Sequence, residues 1–200
     1  KIASIGPAGE NLVLIAGIIN RKHRAAGRAG VGAVMGSKNL KAVAVKGSKR
    51  VPIANEAKLR EVVKKAQAMI KENGVTGQGL PTLGTMILIN VSNENGILPT
   101  RNFQSGYFPK ADSVSGETLK DKYLKEGIGC WGCPIKCGRV TEVKSGPYKI
   151  DGEGPEYESG WALSADCGID NLEAVLKASN LCDDMGMDPI SYGSTIACAM

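Results

Sequence analysis

The apolar residues of the chain follow helical spacing in its second quarter. After Asn55, a residue suited to cap a helix, apolar side chains recur every three or four positions until Asn73 and Gly74 interrupt them. These apolar residues are Leu59, Val62, Val63, Ala66, Met69 and Ile70. The pattern predicts an amphipathic helix between Asn55 and Asn73.

A second helix is predicted near the end of the chain. Asp170 and Glu173 have the spacing of a capping box, and the apolar positions that follow them continue to a glycine stop at Gly186. Ser115 is suited to cap a shorter helix that runs through Leu124. Together these patterns predict a mainly helical second half.

The first fifty residues show a different pattern. Two short apolar runs within residues 2–19 flank a turn at Gly6-Pro7-Ala8-Gly9, and residues 41–46 alternate charged and small apolar side chains. Between these segments lies a basic, glycine-punctuated loop at residues 23–39. The predicted fold class is therefore α+β, with a β-structured part over residues 1–50 and a mainly α-helical part over residues 52–200.

Composition narrows the possible classes of protein. The chain has 200 residues, of which 42% are hydrophobic, which is enough for one large domain or parts of two. Its apolar run at residues 12–19 is shorter than the roughly 20 residues that cross a bilayer, so no membrane span is expected. Because position 1 is lysine and no leader pattern follows, we expect a piece of a longer protein.

The net charge of +5 conceals an asymmetry between the two parts of the chain. Residues 1–50 contain ten Lys and Arg against a single acid, Glu10. An anionic partner such as a phosphate-bearing cofactor explains this excess, and so does an ordinary solvated basic face. Nucleic acid is disfavoured as a partner, because the basic segment contains no Phe, Trp or Tyr for stacking on bases.

Three cysteines, Cys130, Cys133 and Cys137, form a C-x2-C-x3-C segment. Gly132 and Pro134 permit tight turns, through which the short spacings can direct the three thiolates at one centre. This arrangement is typical of ligands to an iron-sulfur cluster. We expect a fourth ligand beyond residue 200 and a reducing compartment, because exposed thiolates do not persist in an oxidising one.

Other interpretations of the cysteine segment are weaker. Zinc prefers four protein ligands in paired knuckles, and the single histidine, His23, is more than a hundred residues away. A radical-SAM cluster would need the two gaps in the opposite order, and a redox disulfide between the first two cysteines leaves the third without a role. Cys182 and Cys198 lie in helix-like apolar patterns and are interpreted as core residues.

Five motifs of the chain resemble the aldehyde ferredoxin oxidoreductase family, in the order in which that family has them. They are residues 27–43, Leu98-Pro99-Thr100-Arg101-Asn102-Phe103, the cysteine segment, Gly154-Pro155-Glu156-Tyr157-Glu158 and Asp183-Asp184-Met185-Gly186-Met187-Asp188. Met187 stands where leucine is usual. The chain resembles an internal piece that spans the end of the β-structured pterin-binding base domain and most of the helical second domain.

The resemblance implies a cytoplasmic oxidoreductase. It would bind tungsten or molybdenum through two pterins, with magnesium bridging the pterin phosphates and a [4Fe-4S] cluster nearby. Such an enzyme oxidises an aldehyde with water to a carboxylic acid and passes two electrons to ferredoxin. We expect the 200-residue piece to be inactive alone, and the resemblance is compatible with a homo-oligomer.

The cofactor-binding residues implied by the resemblance lie in two motifs. Arg28, Ala29 and Gly30 would contact the pterin phosphate and its magnesium, a task suited to a guanidinium and to glycine-rich backbone. The second motif would bind pterin through Asp183, Gly186 and Asp188. Without the resemblance, a strand-connecting turn and solvated carboxylates would be the preferred explanations of these residues.

The resemblance also places a glutamate beside the metal site. Glu156 and Glu158 are the candidates, and the spacing to Asp183 favours Glu158. A carboxylate there can take a proton from water or orient the aldehyde carbonyl. Two exposed acids flanking a packed tyrosine are the simpler alternative.

Other functions remain compatible with the sequence. An iron-sulfur electron-transfer module without pterin would explain the cysteines, and a member of the same family could act on another substrate, such as an aromatic acyl-thioester. A family member that has lost its metals is a third alternative. The sequence alone does not distinguish tungsten from molybdenum or select the substrate.

Overall fold

The basic N-terminal region forms a small antiparallel sheet in the computed structural model, which describes residues 1–21, 23–49 and 51–200. Its strands pair in the order β3-β2-β1-β4. They are β1 (Ile2–Ser4), β2 (Ile18–Asn20), β3 (Arg24–Ala26) and β4 (Ala42–Ala44). This confirms the strand-rich character predicted for the first part of the chain.

Two segments of this region are helical where the sequence predicted a turn and a loop. The predicted turn is helix α1 (Pro7–Glu10), and the predicted loop contains β3, a 3-10 helix (Arg28–Gly30) and helix α2 (Val31–Ser37). Gly36 allows α2 to lie against the backbone carbonyl of Gly9, where a Cβ atom would collide. Glycine therefore serves close helix packing here, and its frequency in the segment was a misleading sign of a loop.

The first predicted helix is confirmed as α3 (Glu56–Glu72). The Asn55 side chain caps it by accepting a hydrogen bond from the Lys58 amide at 2.9 Å. Its amphipathic pattern meets no matching surface within the described part of the chain, because none of its residues is buried. The apolar stripe includes Val62 and Met69, which are 53% and 63% exposed.

The remaining helices surround the main core. They are α4 (Leu80–Leu83), α5 (Leu88–Glu94), α6 (Gly116–Lys122), α7 (Tyr157–Leu163), α8 (Leu172–Met185) and α9 (Pro189–Ala199). Shorter turns join them: a π-helical turn at Val75–Gly79 and 3-10 turns at Gly84–Ile87 and Ala111–Val114. Ser115 caps α6 as predicted, and the Asn171 side chain, rather than that of Asp170, caps α8. Gly186 ends α8 in the left-handed conformation, which confirms the predicted stop.

A second antiparallel sheet interrupts the helical region, and the sequence did not predict it. Its strands pair in the order β5-β6-β7, with bounds Leu124–Ile128, Gly138–Val143 and Ile150–Glu153. The cysteine segment connects β5 to β6. The fold class is α+β, as predicted, but its strands lie on both sides of residue 52.

Fifteen buried apolar residues form the main core. The completely buried ones are Met86, Ile89, Leu98, Val114, Leu119, Ala162, Ala165 and Leu176. This core packs α7 and α8 against α5 and α6 and so fixes the start of α7, where the predicted catalytic glutamates lie.

The turn that follows α8 joins the two parts of the chain. The Gly17 amide donates to the Gly186 carbonyl at 2.8 Å, and the Asp188 amide donates to the Ile15 carbonyl at 2.9 Å. Gly6 lies so close to the Met185 carbonyl that a Cβ atom would not fit. The domain boundary near residue 51 stays a prediction.

In the described part of the chain, every helix is too short or too polar to span a bilayer.

Replacing Leu176 with alanine should destabilise the fold by about 2–5 kcal/mol. The Leu176 side chain is completely buried, so its truncation would leave a cavity in the core. Leu181→Ala on the same helix is the matched control; its side chain is 42% exposed, and we expect a change of about 0.5 kcal/mol. Urea unfolding of the full-length protein, followed by circular dichroism, measures both. Equal effects would contradict the assignment of the core.

Candidate functional site

The predicted phosphate-binding loop has an unusual backbone. Ala29 has φ 70° and ψ 14°, and Gly30 has φ 67° and ψ 23°, so two successive residues are left-handed before the right-handed Val31. Adjacent left- and right-handed residues turn their amide N–H groups towards a common point, which is a favourable shape for an anion. The Arg28 side chain is 66% exposed beside it. This backbone shape is compatible with the phosphate contact that the resemblance implies, which stays a prediction.

The second predicted pterin motif meets this loop. Asp188 is 2% exposed and caps α9 by accepting hydrogen bonds from the Ile190 and Ser191 amides. Its carboxylate also lies 3.7 Å from the Arg28 Nε atom. The structure thus brings Arg28 and Asp188, two of the predicted site residues, close together. The Asp188 carboxylate also caps α9.

Asp183, at the end of α8, lies beside the single histidine of the chain. Its Oδ2 atom is 3.1 Å from the His23 Nδ1 atom, although the two residues are 160 positions apart. Both line a cavity of about 50 Å³ between the first sheet and the helical region. The other lining residues are Arg24, Glu153, Gly154, Pro155, Glu156, Ser159, Ser179 and Pro189.

Arg24 is the centre of the charges in this cavity, and the sequence reasoning did not select it. Its guanidinium lies 2.5 Å from Glu153 and 3.6 Å from Glu156, measured to the carboxylate oxygens. Burial opposes its charge, but Glu153, Cys130 and Glu156 outweigh that effect and raise the pKa of Arg24. Arg24 also lies close to the cysteine segment, because a Cβ atom on Gly138, directly after Cys137, would lie 3.2 Å from its Nη2 atom.

Glu153 is held in this cavity at 13% side-chain exposure. Burial raises the pKa of its carboxyl above the ordinary value, and the positive charge of Arg24 opposes the shift. Neither residue carried a sequence signal of its own. The only available sign was that Arg24 lies four positions before Arg28 in the same basic segment.

The cysteine segment forms a tight turn between β5 and β6. The Cys133 amide donates to the Cys130 carbonyl at 3.0 Å, and Gly132 and Lys136 have positive φ values of 75° and 55°. All three thiols are free, with Cys130 exposed and the other two partly buried. Burial raises the pKa of the Cys137 thiol, and the Glu156 carboxylate and the other two cysteines also contribute to the rise.

The described residues contain no group of three His, Cys, Asp or Glu side chains arranged around one metal ion. A single tetrahedral zinc ion would need such an arrangement. A four-iron cluster places each thiolate on a different iron, so its ligands surround a larger body than one ion. Three free thiols on one turn fit the donor chemistry of such a cluster.

The two candidate catalytic glutamates differ in their surroundings. Glu156 lines the cavity, where it accepts a hydrogen bond from Thr85 Oγ1 at 2.5 Å and faces Arg24. Glu158 is exposed at the start of α7 and accepts a hydrogen bond from Trp161 Nε1 at 2.8 Å. The Trp161 ring packs edge-on against Phe103, with centroids 5.8 Å apart. One carboxylate is thus held inside the cavity and the other lies beside an aromatic surface.

The cysteines outside this segment have separate roles. Cys182 is 1% exposed in the core, as predicted, whereas Cys198 is exposed, so its interpretation as a core residue was wrong. Cys198 lies on the exposed side of α9. Cys167, for which no role was predicted, is buried and donates from its thiol to the Ala162 and Gly193 carbonyls.

Comparison with solved structures shows where this fold occurs. The chain superimposes on the active-site complex BamBC of benzoyl coenzyme A reductase, bound to 1,5-dienoyl-CoA, with a TM-score of 0.74 and 25% sequence identity. The match covers 99% of this chain and 31% of that one. The fold is therefore that of one segment of a large oxidoreductase.

Comparison with protein families identifies the chain more closely. The family model for aldehyde ferredoxin oxidoreductase, domains 2 and 3, matches residues 61–200, and the model for the N-terminal domain matches residues 1–47. The chain therefore belongs to the aldehyde ferredoxin oxidoreductase family.

Curated relatives carry the same family name. The chain is 54% identical over 200 residues to the tungsten-containing aldehyde ferredoxin oxidoreductase of Pyrococcus furiosus, and 55% identical over 199 residues to that of Thermococcus kodakarensis. It is also 33% identical to the WOR-like subunit of an aliphatic sulfonate oxidoreductase from Pyrococcus furiosus. All of this chain aligns with the first two relatives, but it spans about a third of their length, 33% and 32%.

Thiol reactivity should separate the buried from the exposed cysteines. Burial raises the pKa of Cys182 to about 12, so only about one thiol in 10,000 is ionised at pH 8. In the iron-free, reduced chain, iodoacetamide should label the exposed Cys130 and leave Cys182 unmodified, as read by peptide mass spectrometry. The same reaction after unfolding in urea is the control and should label both. Rapid native labelling of Cys182 would contradict its burial.

Proposed function

We propose that the full-length protein oxidises an aldehyde to a carboxylic acid at a tungsten or molybdenum bis-pterin centre. The reaction consumes one water and releases two protons and two electrons. We further propose that the electrons pass through a [4Fe-4S] cluster on Cys130, Cys133 and Cys137 to ferredoxin, in the cytoplasm. The observation that supports the proposal is the position of Arg24: it lies in the same basic segment as the anion-binding loop, and a Cβ atom on Gly138, directly after Cys137, would lie 3.2 Å from its Nη2 atom.

The pterin side of this site would be held by charge and backbone. Arg28 and the left-handed backbone at Ala29 and Gly30 suit a phosphate and its bridging magnesium. Asp183 and Asp188, with Gly186 in the turn between them, lie next to this loop. When bound, the metal would supply two-electron redox chemistry, while these residues would fix the orientation of its pterins.

The carboxylate that takes part in the chemistry is proposed to be Glu158. Glu156 is already engaged by Thr85 and Arg24 inside the cavity, so we assign it to positioning of the cavity wall. Glu158 is exposed, and the hydrogen bond from Trp161 holds it beside the Phe103 ring. A carboxylate fixed next to an apolar wall can orient an aldehyde carbonyl or accept a proton from the attacking water.

A second candidate function comes from the solved structure of similar fold. The active-site complex of a benzoyl coenzyme A reductase acts on an aromatic acyl-thioester by its name, and the two folds match over almost the whole of this chain. The higher identity to the tungsten-containing aldehyde enzymes favours aldehyde oxidation. Assays with an aldehyde and with an aromatic acyl-thioester would distinguish the two reactions.

Metal analysis tests the cofactors directly. Full-length protein purified without oxygen should contain tungsten or molybdenum and about four irons per chain. Cys133→Ser should abolish the visible absorbance of the cluster, because a hydroxyl replaces one thiolate ligand, whereas Cys198→Ser at an exposed position outside the segment should leave it unchanged. Iron without a heavy metal would favour an electron-transfer module, and unchanged absorbance in Cys133→Ser would refute the ligand assignment.

Substitution of the two glutamates tests the catalytic assignment. We expect Glu158→Gln to lower kcat about 10²- to 10⁴-fold, the usual contribution of a positioned acid or base, with tungsten and iron contents unchanged. Glu117→Gln, an exposed glutamate on α6, is the matched control and should retain full activity. A larger loss of kcat in Glu156→Gln than in Glu158→Gln, at equal metal content, would reverse the two roles.

A further inference from the structure

Arg139, two residues after the last cysteine of the segment, is a buried cation. The residue is 3% exposed, although its guanidinium stays charged at any physiological pH. None of the ion pairs between described residues includes it. Burial lowers the pKa of its guanidinium, and the charges of Cys137 and Glu156 only partly offset this effect. A buried charge with no ion-pair partner is unfavourable, so the position calls for a further negative partner. Arg24 differs in this respect, because Glu153 and Glu156 already compensate its charge.

The guanidinium of Arg139 is held by backbone carbonyls behind the cysteine segment. Nη2 donates to the carbonyls of Lys136 and Leu80 at 2.8 and 2.9 Å, and Nε donates to the Cys137 carbonyl at 3.3 Å. A longer contact of 3.5 Å joins Nη1 to the Thr82 carbonyl. The positive charge is therefore fixed directly against the backbone that presents Cys137.

Two glycines, Gly84 and Gly127, make room for the Arg139 side chain. A Cβ atom on Gly84, which has φ 66°, would lie 3.0 Å from the Arg139 Nε atom. A Cβ atom on Gly127, the partner of Arg139 across β5 and β6, would lie 3.3 Å from its Nη1 atom. The Arg139 carbonyl in turn accepts a hydrogen bond from the Gly154 amide at 2.8 Å, two residues before Glu156. The arginine thus connects the cysteine segment with the glutamate motif.

We propose that Arg139 is the positive charge that compensates the iron-sulfur cluster on Cys130, Cys133 and Cys137, and that it raises the reduction potential of that cluster. The inference rests on the proposed function, because the cluster is part of it. Reduction adds one electron and one negative charge, and no bond to Arg139 forms or breaks. A cation fixed in a poorly solvated position stabilises the more negative state, so its removal should make reduction harder.

The test is an anaerobic redox titration of the full-length enzyme with dithionite, followed by electron paramagnetic resonance of the reduced cluster. Arg139→Gln should lower the midpoint potential by at least the 59 mV that corresponds to a tenfold change for one electron. Arg139→Lys keeps the charge and should stay near the wild-type potential. Lys144→Gln removes the same charge from an exposed position after β6 and is the matched control, with no shift expected.

Iron content and circular dichroism of each variant separate charge from folding. Arg139→Gln that has lost its iron still supports the proposal if Arg139→Lys retains iron and the wild-type potential. Unchanged potential in an iron-replete Arg139→Gln protein overturns it, and so does loss of iron in both variants, since shape rather than charge would then be required. A wild-type protein without iron would instead refute the proposed cluster itself.

Discussion

The structure depends on the contact between the N-terminal sheet and the turn that ends α8. Two glycines, Gly6 and Gly186, bring two backbones together more closely than any larger residue would allow. Main-chain hydrogen bonds then fix the relative position of the two parts. Because side chains contribute little volume to this contact, its geometry is set by the peptide groups themselves. The two predicted pterin motifs lie on opposite sides of this contact, one in the N-terminal region and the other at the end of α8.

This contact also determines where the charges lie. Arg24 on β3 and His23 before it face the acidic residues of β7, α7 and α8 only because the sheet is held against the end of α8. Two of the ten Lys and Arg residues in the first fifty positions, Arg24 and Arg28, are thereby paired with carboxylates that lie more than a hundred positions later. Part of the regional charge asymmetry of the sequence therefore becomes specific ion pairs in the folded chain.

Sequence patterns predicted elements whose causes are local. The cap at Asn55, the cap at Ser115 and the glycine stop at Gly186 depend on side chains within a few residues, and the structure confirms each. The sheet of β5, β6 and β7 was missed, because its pairing joins segments separated by the cysteine turn and has no local signal. For the same reason Arg24, Glu153 and Arg139 were not selected: their partners become neighbours only through tertiary contacts.

The left-handed conformation of Ala29 has a consequence for how this region tolerates sequence change. An L-amino acid in that conformation costs about 1–2 kcal/mol relative to a right-handed one, and a β-branched side chain costs more. The shape of the loop therefore resides in the main chain and not in a particular functional group. Substitutions of Ala29 should therefore be limited to residues that adopt positive φ readily, such as glycine, asparagine and aspartate. This limit holds whatever cofactor chemistry the protein performs.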